Sequence, residues 1–102
     1  MSIPATIEQV GSALRIGGDL TMQTVTALSA AGSDLVRQGA RTIDLSGVQK
    51  VDSAAIALLL EWWRTAGEAL KVSGAPIGLV ELARLYSVSD ILLLQPRPTP
   101  AV

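Results

Sequence analysis

One place in the chain brings a hydroxyl, a carboxylate and a helix start together: Asp52-Ser53, just before the apolar run Ala54 to Leu60. Asp and Ser are both helix-capping residue types, satisfying free first-turn N–H groups for ~0.5–2 kcal/mol. An acid at that position also complements the helix dipole. Capping is therefore the first expectation for the pair. A hydroxyl at a helix start is also within reach of a kinase or a docking protein. A phosphate on Ser53 would meet free N–H groups. It would also meet Asp52 and Asp44, and would repel an acidic partner surface.

Other chemistry is excluded by composition. The chain has no histidine and no cysteine. Imidazole general bases, nucleophile–His pairs, and thiolate or imidazole metal sites are thus ruled out. Its nine carboxylates are scattered, and no motif pairs them. Asp44 and Asp52 are expected to approach each other across a loop, where such acids ordinarily serve turns and caps. Gly17-Gly18 is too short for a phosphate-binding loop. No catalytic residue, metal ligand or cofactor is expected. With 8 basic and 9 acidic residues and no basic block, nucleic-acid binding has no electrostatic footprint.

The helix after Ser53 carries a second signal. At about 100° per residue, Ile56, Leu59, Leu60 and Trp63 form one stripe. Ala55, Leu58 and Trp62 lie to its side, widening the apolar arc to about 200°, against the ~100° a surface helix needs. Two readings follow. Either Leu58 and Trp62 pack within the helix layer, or they form part of a docking surface, since Trp favours interface centres. The docking reading expects Trp62 to be partly exposed and fails for that residue if it is buried. On it, the partner-binding set is Asp52, Ser53, Ala54, Ala55, Leu58 and Trp62.

Around this segment the pattern is one of alternating strands and helices. The chain has 102 residues, of which 49% are hydrophobic and 17% charged, which fits one folded domain. Ile3 to Val10 and the stretch with Leu14 and Ile16 predict a hairpin about Gly11-Ser12. Gly17-Gly18 is expected to end its second strand. Val25, Leu28, Gly32, Leu35 and Val36 predict a helix stopped by Gly39. Thr42 to Ser46 alternates as a strand buried on one side, followed by a loop over 47–52. The next helix runs to about Arg64, and Leu70-Lys71-Val72 is a short strand. Pro76 opens a third helix through Leu79, Leu82, Ala83 and Tyr86. The order ββαβαβα predicts an α/β fold: a mixed four-stranded sheet with helices mainly on one face. Residues 1–94 are expected to form the domain and 95–102 a flexible, proline-rich tail. The start of the chain does not read as a signal peptide, and its longest apolar run is seven residues, so a cytoplasmic location is expected.

The segment Ile43 to Leu60 resembles the signature of STAS domains: a strand ending in Asp-Leu-Ser, a loop, then Val-Asp-Ser/Thr and a small-residue, leucine-rich helix. Gly18-Asp19-Leu20 is similar to that family's Gly-x-Leu after its second strand. Leu58-Leu59-Leu60-Glu61-Trp62-Trp63-Arg64 and Leu82-Ala83-Arg84-Leu85-Tyr86 resemble the MlaB type in particular. That resemblance implies a non-catalytic subunit binding the ATPase of an Mla-type phospholipid-transport ABC complex, which maintains outer-membrane lipid asymmetry. It also implies a peripheral position at the inner membrane through that partner, with Ser53 at the partner contact. The alternative within the family is an anti-sigma-factor antagonist whose matching serine, Ser53, is phosphorylated by a kinase anti-sigma factor. Ala54-Ala55 departs from the Ser-Gly or Gly-type residues common after that site. A small ligand-binding domain is a third class, but no residues mark a pocket for it.

Overall fold

The computed structural model describes residues 2–92 and 94–96. The elements in chain order are β1 (Thr6–Val10), β2 (Ala13–Leu20), α1 (Val25–Arg37), β3 (Thr42–Val51), α2 (Ser53–Thr65), β4 (Lys71–Ala75), α3 (Ile77–Leu85), α4 (Ser89–Leu92) and β5 (Leu94–Pro96). They form a five-stranded sheet in the order β1-β2-β3-β4-β5. β1 and β2 pair antiparallel about Gly11-Ser12, with Val10 opposite Ala13. All later pairs are parallel. Each crossover moves one strand along in the same direction. Right-handed connections then place the intervening helices on one face.

The alternation in the strands explains why that face is the core. Leu14, Ile43, Val72 and Leu94 are aligned across β2 to β5, and the first three are fully buried. The adjacent row, on the opposite face, is Glu8, Arg15, Asp44 and Ser73. There Arg15 Nε lies 3.8 Å from Asp44 Oδ2. This exposed pair contributes only ~0–1 kcal/mol, so the apolar row holds the sheet to its helices.

Three expectations need correction. The sheet has five strands rather than four, because Leu94–Pro96 pairs with β4. This edge strand takes in Gln95 and Pro96, the first two residues of the segment read as a tail; residues 97–102 lie outside the described ones. An edge position suits a residue without an N–H. Gly17-Gly18 does not end β2, which runs on to Leu20. Gly18 has φ 80°, and a Cβ there would overlap the Pro4 carbonyl. These glycines therefore let residues 3–5 cross the strand closely. Finally, residues 47–51 are strand rather than loop. Because β2 continues, β3 keeps a partner over ten residues, with Gly47 opposite Gly17 and Val51 opposite Leu20 after register irregularities.

Candidate functional site

The β2–α1, β3–α2 and β4–α3 junctions all lie at the carboxyl ends of parallel strands, along one edge of the domain. In open α/β sheets, such edges are where binding sites are built. Asp52 stands at the middle junction with extended backbone, φ −138°. Its Oδ1 accepts from the Ala54 amide at 2.8 Å, as a cap requires. Its Oδ2 accepts from the Met22 amide in the β2–α1 loop at 3.0 Å. The Asp52 amide donates to the Leu20 carbonyl at 3.3 Å, and its own carbonyl accepts from the Ala55 amide at 3.0 Å. One residue thus caps α2 and ties it to the neighbouring junction.

Ser53 is the first residue of α2 and is exposed. Two large apolar side chains on the same edge are also exposed: Met22 at 73% and Ile77 at 71%. Met22 adjoins Ser53 through the Asp52 bond. Ile77 opens α3, whose next residue, Gly78, packs against Val51, with its Cβ position 3.4 Å from Val51 Cγ2. Behind Ser53, an open groove of ≈ 270 Å³ runs between α1 and α2, with Val25, Ala54, Ala57 and Leu58 among its lining. At its far end Ser29 Oγ donates to Glu61 Oε2 at 3.3 Å.

The six residues expected to bind a partner divide into two groups. Asp52, Ser53 and Ala54 reach the surface. Ala55 and Trp62 are fully buried, and Leu58 is 4% exposed. Trp62 is therefore withdrawn from the docking surface, and Ala55 with it; Leu58 contributes only the floor of the groove. The cause is a glycine in the facing helix. A Cβ at Gly32 would overlap the Trp62 indole, so the ring fills the space that glycine leaves. Its Nε1 donates to the Ser29 carbonyl at 3.2 Å. Burying an indole removes roughly 150–250 Å² from water, an upper bound of about 4–6 kcal/mol at ~25 cal/mol per Å².

Asp44 does not join the site. Its Oδ1 accepts from the Ser46 amide at 2.9 Å and from Ser46 Oγ at 2.7 Å on the open sheet face. It is eight residues from Asp52 along an extended strand, roughly 25 Å at ~3.3 Å per residue. Met22, Ala57 and Ile77 were missed by sequence reasoning. For Met22 and Ile77 the available signal was an apolar residue two positions after a strand end; Ala57, inside α2, carried none. Among the described residues, no group of three or more acidic side chains could hold a metal ion. No helix there is long and apolar enough to cross a membrane.

A one-faced sheet with a capped β3–α2 turn at its carboxyl edge is the arrangement expected of a STAS domain. A family model described as "Mlab, STAS domain" matches residues 5–95, and the chain belongs to that family. Among solved structures, it is similar to an anti-sigma factor antagonist from Mycobacterium paratuberculosis, with 22% identity over 93% of this chain and 86% of that one, and a TM-score of 0.76. An anti-sigma-factor antagonist (STAS) domain protein from Planctomyces limnophilus shares 17% identity over 94% of this chain and 92% of that one, with a TM-score of 0.70. The anti-sigma factor antagonist SpoIIAA in its unphosphorylated form shares 19% identity over 96% and 89%, with a TM-score of 0.61. At these identities the likeness establishes the fold. No curated protein matches the chain in sequence.

Proposed function

We propose that this chain is a non-catalytic STAS subunit that binds and supports the ATPase of an Mla-type phospholipid-transport ABC complex, held at the cytoplasmic side of the inner membrane by that partner. The family description supports the Mla assignment. The observation carrying the docking role is the exposed Ser53 between the exposed apolar side chains of Met22 and Ile77. Apolar side chains in the open beside a rigidly capped turn form a surface that a partner can desolvate at little ordering cost.

A second reading is an anti-sigma-factor antagonist switched by phosphorylation at Ser53, favoured by the solved structures with this fold. The local bonding favours the first. The Ala54 and Ala55 amides, which would otherwise receive a phosphate, are already bound by Asp52. A phosphate on Ser53 would instead face the Asp52 carboxylate. Affinity capture from the protein's own cells, with the bound proteins identified by mass spectrometry, decides between the two. An ABC ATPase with its permease supports the first; a kinase anti-sigma factor replaces it with the second.

A further inference from the structure

Asp19 is the second-last residue of β2, next to the Leu20 that bonds Asp52, and is 1% exposed. Its amide, carbonyl and carboxylate each bond to a segment outside β2. Oδ2 accepts from the Ile3 amide at 2.9 Å, and the Asp19 amide donates to the Ile3 carbonyl at 3.1 Å. The Asp19 carbonyl accepts from Thr24 Oγ1 at 2.6 Å. Thr24 Oγ1 in turn accepts from the Thr21 amide at 2.9 Å. The next residue, Met22, donates its amide to Asp52. A continuous path of bonds therefore runs from the N-terminal arm, through Asp19 and the 21–24 loop, to the cap of α2. The arm itself cannot shift inward, because the Pro4 carbonyl presses on Gly18.

Only one oxygen of the carboxylate is bonded among the described residues. Its Oδ1 has no hydrogen-bond partner among the described residues, and a buried polar atom without a partner is costly. We infer that Asp19 is a positioning residue for the Asp52-Ser53 turn, acting through the arm and the 21–24 loop without touching a partner itself. Holding the Met22 amide at Asp52 keeps the exposed Met22 side chain beside Ser53. The consequence for binding rests on the proposed docking function; the positioning does not.

The test is amide hydrogen exchange of the full chain in Asp19→Ala and Asp19→Asn. The alanine variant loses the Ile3 amide's bond to Oδ2 and keeps the backbone bond to Thr24; Met22 and Ala54 should exchange faster relative to Ile43 and Val72, by up to about the tenfold that one ordinary hydrogen bond is worth. The asparagine variant, which keeps an acceptor for the Ile3 amide, should restore most of that protection. Ile3→Pro removes the donor instead and should loosen the same two amides, which keeps the test open if Asp19→Ala fails to fold. If Met22 and Ala54 change only in step with Ile43 and Val72, Asp19 is an ordinary structural residue and the inference fails. If the two amides loosen while partner affinity is unchanged, the positioning stands and the docking role of the turn is lost.

Discussion

Gly32→Ala sets two opposed effects against each other. Replacing a mid-helix glycine by alanine ordinarily stabilises by ~1 kcal/mol, through lower backbone entropy in the unfolded chain and better helix propensity. Here the new Cβ would overlap the Trp62 ring and lie 2.8 Å from Nε1. The obstacle is a rigid ring, not the tip of a flexible chain, and the ring is fully buried. Relief requires parting α1 from α2 or rotating the indole, at ~1–3 kcal/mol for overpacking. Rotation also breaks the 3.2 Å bond to the Ser29 carbonyl, at ~0.5–1.5 kcal/mol. Together these outweigh the propensity gain, for a net loss of about 0.5–3.5 kcal/mol. For a domain of this size each kcal/mol lowers Tm by roughly 4–8 °C. Urea and thermal unfolding of the single variants and of Gly32→Ala combined with Trp62→Leu provide the assay. In the leucine background the alanine should no longer be costly, a coupling beyond ~0.5 kcal/mol. A Gly32→Ala variant as stable as the parent, or strictly additive variants, would refute the claim that this glycine exists to admit Trp62.

Asp52→Ala removes both the Ala54 cap and the Met22 tether, and should cost about 1–2 kcal/mol in urea unfolding; a loss under ~0.3 kcal/mol would show that neither bond matters. Ser53→Glu should weaken partner capture at least tenfold while moving stability by no more than ~0.5 kcal/mol, as expected of an exposed site. Binding unchanged by that variant makes Ser53 a helix-start residue and nothing more. Met22→Asp with Ile77→Asp should abolish binding at near-parental Tm, because both side chains are exposed in the free domain; retained binding in a titration would move the docking surface elsewhere.

The sequence by itself determined the one-sided sheet. Alternation in Leu14-Arg15-Ile16 and Ile43-Asp44-Leu45 reports directly which side chains face the core, and the structure buries those four apolar residues completely. It likewise determined the start of α2, since capping by Asp52 depends on residues two apart. The fold class followed from the order of elements along the chain, and the family from the Ile43 to Leu60 segment. Tertiary structure alone decided the fate of Trp62. Periodicity shows that a helix flank is apolar but not what covers it, and the cover is Gly32, thirty positions earlier in another helix. It also decided that β2 passes through Gly17-Gly18 and that β3 reaches Val51, because strand ends depend on whether a partner strand continues. The edge that gathers Met22, Ser53 and Ile77 is of the same kind. These residues are far apart in sequence, and parallel strands bring their junctions to one end.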